Sequence, residues 1–171
     1  MSTKSLASNP ATLTALALPV ANHLKAARQT VAVCESSVGG LIAAALVSIP
    51  NASVYFIGGT VVYTLAARRQ LLDITDVDMT GLRGATEAYA LLCAQRLRNK
   101  FGCTWALAET GATGPNGNPY GDPPGHACFA VSGPVEKSIT VATGDNNREA
   151  NMWAFAKSAL EFFERCALGR A

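Results

Sequence analysis

Apolar and polar positions along the chain fall into two rhythms. Near the N-terminus Leu13, Leu16, Val20 and Leu24 share one helical face, and Asn9-Pro10 reads as an N-cap with proline in the first turn, with Pro19 expected to kink or restart the helix. TVAVC (30–34) is then an unbroken β-branched run of the kind that forms a buried strand, and 38–48 is an Ala/Leu/Ile stretch of helical length. SVYFIGGTVVY (53–63) reads as a second strand, its Gly58-Gly59 marking a bulge or a close backbone approach. A short helix over 66–72, an acidic connection and an amphipathic helix over 86–100 follow, with Tyr89, Leu92, Cys93 and Leu97 on one side. CTWALAE (103–109) is a further buried strand. HACFAV and KSITVAT form the last two strands around a Ser132-Gly133-Pro134 turn, and a helix from Arg148 to about Leu168 closes the chain. This order implies one α/β domain over 1–171, a three-layer α/β/α arrangement with a mixed sheet, made of an N-terminal helical segment (1–28) and a core (30–168).

Composition narrows the function classes. With 49% apolar and 15% charged residues and a net charge of +2, the 171-residue chain is expected to build a packed core, to have no affinity for nucleic acid and to need no membrane. The first 29 residues show no cleavable-signal pattern, and a cytoplasmic location is expected. Cys34, Cys93, Cys103, Cys128 and Cys166 are odd in number and scattered, so they read as core residues, with neither a disulfide framework nor a metal site; Cys34 alone flanks a motif. His23 reads as a packing residue of the first helix, and His126 follows a loop from which it could reach a site.

Two stretches carry candidate chemistry. In CESSVGG a buried strand runs into a helix, where unpaired N–H groups of the first helical turn would face an anion at the carboxyl edge of the sheet. Glu35, Ser36, Ser37, Gly39 and Gly40 stand there; the alternative is that a serine caps the helix and the glycines allow packing. In TGATGPNGNPYGDPPG five glycines and four prolines occur with Thr110, Thr113 and Asn116, Gly111 and Gly114 among the glycines, a loop able to turn backbone N–H groups toward a phosphate or carboxylate. Neither stretch is a P-loop or GxGxxG.

ESSVGG, GGTVVYTLAARRQLL, GATEAYA, ETGATGPNG with DPPG, and GDNNRE occur in an order that resembles the C-terminal domain of CinA (competence/damage-inducible) proteins, over residues 30 to about 160. The resemblance is to the stand-alone form of that domain. It implies an amidohydrolase that converts nicotinamide mononucleotide and water to nicotinate mononucleotide and ammonia with no cofactor and no metal, acting on a small molecule; a homo-oligomer is expected. The family nucleophile falls on Ser36, its tyrosine on Tyr63, its basic lysine on Arg68 and its GDRE arginine on Arg148. Ser37, Gly39, Gly40, Thr110, Gly111, Thr113 and Gly114 are then expected to bind substrate.

The sequence also departs from the family pattern. Position 68 is arginine, a donor that does not accept the serine's proton, which leaves Tyr63 or Glu35 as the substitute base and Arg68 to grip an anion. Val38, Leu65, Ala66 and Asp122 replace the family's threonine, asparagine, glutamate and lysine. A relative that keeps the pocket for binding or structure, without turnover, is the alternative function.

Overall fold

The computed structural model describes residues 12–170. Asn9-Pro10 lies outside them; helix α1 (Leu13–Ala27) is capped by Thr12, whose hydroxyl accepts the Ala15 N–H, and it runs through Pro19 without restarting. The remaining elements are β1 (Val31–Glu35), α2 (Leu41–Val47), β2 (Phe56–Val61), α3 (Leu65–Leu72), α4 (Glu87–Phe101), β3 (Trp105–Ala112), β4 (His126–Ser132), β5 (Glu136–Ala142) and α5 (Arg148–Ala167). The five strands lie in the order β2-β1-β3-β4-β5, parallel from β2 to β3 and antiparallel from β3 to β5. That is the expected mixed sheet.

Alternate strand residues enter two different layers. Val31, Val33, Trp105, Leu107, Phe129 and Val131 face α1, α2 and α5, where Phe155, Phe162 and Phe163 complete a large-residue core. On the opposite face Ala32, Cys34, Ala106 and Ala108 meet α3 and α4, and Cys128 and Ala130 pack on Ala90 of α4. Small side chains on this face let α4 approach the sheet closely. All five cysteines are buried free thiols. No described helix is long and apolar enough to cross a membrane.

Three boundaries differ from the sequence expectation. β2 starts at Phe56 because residues 52–54 form a 3-10 turn and the buried Tyr55 hydroxyl is tied to the Leu46 carbonyl. The expected bulge is present, since Val31 pairs Phe56 but Ala32 pairs Gly58. Gly59 supplies the close approach as well: a Cβ there would lie 2.8 Å from the Val33 side chain and 3.2 Å from Ala43 of α2. β3 continues through Thr110, Gly111 and Ala112, which pair with β4, so the glycine-rich loop is shorter than its composition indicated. α2 begins three residues late, for a reason that lies in the site.

The topology sets the site's position. The chain leaves β1 through α2 on one face to reach β2, then crosses β1 through α3 and α4 on the other face to reach β3, so β1 and β3 meet at a switch in winding direction. In open α/β sheets the carboxyl edge at such a switch is a natural crevice. Truncating the core should show how strongly the larger layer holds this arrangement. Phe129→Ala, at a fully buried position packed edge-on against Phe155, is expected to cost about 3–5 kcal/mol in urea unfolding, while Val77→Ala at an exposed position should change stability by under about 0.5 kcal/mol.

Candidate active site

The turn between β1 and α2 is built around two buried carboxylates. Glu35, the last residue of β1, is 1% exposed, and its oxygens accept N–H groups from Gly40 (2.8 Å), Ile42 (3.1 Å) and Ala43 (2.7 Å). Glu109 of β3 is 2% exposed and accepts from Ser36 N (2.9 Å), Val38 N (3.2 Å) and the Ser37 hydroxyl. Residues 36–40 are thereby drawn into a turn, and the helix starts only at Leu41. Gly39 (φ +66°) and Gly40 (φ +106°) occupy left-handed backbone that a side chain would strain.

This arrangement corrects three expectations. The N–H groups at the helix start do not face a ligand, because Glu35 fills that position from within the chain. Neither Ser36 nor Ser37 caps the helix: Gly40 is the N-cap residue and has no capping side chain. Glu35 faces α2 rather than a cavity, which removes it as the serine's base; Gly39 and Gly40 likewise shape the turn and line neither cavity described below.

At the carboxyl edge Ser36, Tyr63, Arg68, Thr110 and Gly111 line one cavity of about 280 Å³. A second, of about 210 Å³, adjoins it and is lined by Ser37, Thr113, Gly114, Asn116 and Arg148, with Tyr63, Gly111 and Asn118 shared by both. The strand ends, α3 and the glycine-rich loop therefore converge, as their places in the sheet predict. His126 turns away, its Nε2 lying 2.9 Å from the Ala85 carbonyl, and it lines neither cavity. His23 is half-buried on α1. Contact with Cys93, reinforced by burial, holds the Cys34 thiol well above the usual range, and the residue packs in the core.

The basic groups are held differently at the two ends. Arg148 donates to the Gly114 carbonyl (2.7 Å) and to the Tyr63 hydroxyl (2.8 Å), bracing the loop against β2. Arg68 is 6% exposed and donates from one Nη to Asp76 (2.8 Å), while its buried Nε has no partner. The Thr113 hydroxyl is also buried without a partner.

Several organising residues escaped the sequence reading. Asn151 on α5, 1% exposed, donates to the carbonyls of Thr113 (2.8 Å) and Asp145 (2.9 Å) and so clamps the loop to the segment before α5. Asn118 accepts the N–H groups of Tyr120 and Asp122. Arg83 grips Asp122 with two hydrogen bonds and is the main reason its carboxyl falls to about 2. Glu109 left a readable signal: a carboxylate at the end of an apolar strand must find buried donors.

Burial pushes the Glu35 carboxyl up to about 7 against the pull of its N–H donors, and it raises Glu109 as well, against the pull of Ser37, Ser36 and Val38. The folded chain then retains protons that the unfolded chain releases, so stability is greatest below the ordinary carboxyl value of 4.5 and falls as the pH rises through about 7. The urea midpoint is expected to drop between pH 5 and pH 8, with a shallower drop in Glu35→Gln; a wild-type midpoint that is flat or rising over that window would contradict the assignment.

Comparison with known proteins identifies the family and the fold. The CinA C-terminal domain family model matches residues 13–167. A CinA-like protein of Synechococcus sp. (strain CC9902) is 36% identical over 118 residues, 69% of this chain and 28% of that protein; one of Desulfosudis oleivorans is 35% identical over 153 residues, 88% of this chain and 37% of that protein. The chain thus spans well under half the length of these relatives. Among solved structures, a competence-damaged protein (CinA) superfamily protein from Klebsiella pneumoniae superposes with a TM-score of 0.86 at 22% identity, covering 92% of this chain and 99% of the other, which shows the shared fold. The competence/damage inducible protein CihA from Agrobacterium tumefaciens superposes with a TM-score of 0.78 at 27% identity, covering 88% and 93%. The chain belongs to the CinA C-terminal domain family.

Proposed function

We propose that the chain is an amidohydrolase acting on nicotinamide mononucleotide or a related amide, with Ser36 as nucleophile. The observation that carries this reading is the meeting of Ser36, Tyr63 and Thr110 on one cavity beside a glycine-rich loop braced by Arg148. Ser36 Oγ would attack the amide carbon, the C–N bond would break with release of ammonia, and water would hydrolyse the serine ester to the free acid. Tyr63 accepts a hydrogen bond from Arg148; as the remaining substitute base, its oxygen would take the serine's proton while its own O–H passes to the departing nitrogen. The phosphate would lie in the adjoining cavity near Arg148 and the loop. Oxyanion donors must come from outside the N–H groups of Ser36, Val38, Gly40, Ile42 and Ala43, which the two carboxylates occupy.

One observation favours a second reading, binding without turnover. The arginine at position 68 lines the cavity where the family resemblance calls for a proton acceptor, and neither nearby carboxylate is free to substitute. A positioned base is worth about 10²–10⁴-fold in rate, so turnover is expected to be slow, and the two readings part on whether it is measurable.

Incubation with nicotinamide mononucleotide and assay of released ammonia tests the reaction. Ser36→Ala is expected to abolish activity and Arg68→Lys to raise it, the gain vanishing when the two are combined. Ammonia release that survives Ser36→Ala would remove Ser36 as nucleophile, and binding with no release in either wild type or Arg68→Lys would establish the second reading. By calorimetry the mononucleotide should bind more tightly than its nucleoside, and Arg148→Ala should weaken the mononucleotide by about 1.5–3 kcal/mol. Equal affinities for nucleotide and nucleoside would exclude phosphate recognition.

A further inference from the structure

A buried arginine with an unused donor, on the wall of a cavity, calls for a ligand oxygen. Arg68 lines the 280 Å³ cavity together with Ser36 and Thr110, is 94% removed from solvent, and leaves its Nε–H unpartnered. Such a donor costs stability until an acceptor reaches it.

The charge balance points the same way. Arg68 and Arg69 share the single carboxylate of Asp76, whose side chain is 68% exposed, so the pair of guanidinium groups keeps one positive charge over. Glu35 and Glu109 are enclosed by backbone donors, Asp122 is held by Arg83 and Asn118, and none of the three lines either cavity. Nothing on the cavity wall compensates the remaining charge. A guanidinium offers N–H groups in a planar fork that matches the two oxygens of a carboxylate, whereas a carboxamide presents one oxygen and an NH₂ that would oppose the fork donor to donor.

We propose that Arg68 makes this cavity a carboxylate receptor, so that the chain holds the acid in preference to the corresponding amide. For the identity of the ligand the proposal rests on the pyridine-nucleotide reading above, in which the acid is the reaction product; for the carboxylate it rests on Arg68 alone. The adjoining cavity, reached past Tyr63, Gly111 and Asn118, would take the ligand's phosphate. Ligand retention would then limit turnover in addition to the missing base.

Calorimetric titration of the whole chain with nicotinate mononucleotide and with nicotinamide mononucleotide tests this, in wild type and in a Ser36→Ala background where hydrolysis does not interfere. The acid is expected to bind about tenfold to a hundredfold more tightly than the amide, the scale of a charge-assisted hydrogen bond. Arg68→Gln should bring the ratio to within about threefold, and Asp76→Asn, which removes the competing carboxylate without touching the cavity wall, should widen it. Equal affinities in wild type, or a preference that survives Arg68→Gln, would overturn the proposal. If neither mononucleotide binds, the pyridine-nucleotide reading fails, and nicotinate and benzoate followed by NMR become the probes: shifts lost in Arg68→Gln support the carboxylate receptor, and the absence of shifts in wild type overturns it.

Discussion

The structure depends on the way Glu35 and Glu109 collect the backbone N–H groups of the turn after β1. A strand that ends in a buried edge leaves polar groups without sheet partners, and each unpaired one costs about 1–3 kcal/mol. Here the two carboxylates, from adjacent parallel strands, meet that need from opposite sides: Glu109 takes the N–H groups of Ser36 and Val38 together with the Ser37 hydroxyl, and Glu35 takes the N–H groups of Gly40, Ile42 and Ala43. The pairing of β1 with β3 and the docking of α2 are thereby coupled through a few residues, with Ser36 the first residue of the set held by Glu109 and Gly39 the point where the two sets divide.

That coupling reallocates the chemistry of the site. A helix N-terminus is a familiar place for an anion, but here its N–H groups go to the chain's own Glu35 carboxyl, and the helix start serves structure. The polar groups left on the cavity walls are those of Tyr63 and Arg148, of the glycine-rich loop held by Asn151, and of Arg68. The loop is firmly fixed for its composition. A Cβ on Gly114 would lie 2.5 Å from the Asn146 carbonyl, and one on Gly117 would lie 2.2 Å from that of Asp122, so these glycines are needed for backbone contact rather than for mobility.

Much of the fold was legible in the sequence because its signals are local: a β-branched run gave β1, the apolar run after Cys103 gave β3, the apolar face of 86–100 gave α4, and the turn at Gly133 gave the last hairpin. The convergence of Ser36, Tyr63, Arg68 and Thr110 was legible too, since each lies at the carboxyl end of a strand or just beyond it. What the sequence hid depends on contacts between distant segments. The direction of the Glu35 carboxylate is decided by where α2 begins, and that depends on Glu109, more than seventy residues away. The clamp by Asn151 pairs one helical asparagine with carbonyls of two loops, and nothing in its neighbours marks it. Arg68 could be recognised as a departure from the family pattern, but its unpartnered Nε is a property of packing alone.

Residue-resolved amide hydrogen exchange tests the central claim most directly, because it reads the N–H groups that the two carboxylates are held to capture. The account predicts that the amides of Ser36, Val38, Gly40, Ile42 and Ala43 exchange slowly, as in the sheet interior, although the first three lie outside regular secondary structure, and that Glu109→Gln speeds Ser36 and Val38 before the rest. Exchange of these amides as fast as in the exposed segment around Val77 would contradict it.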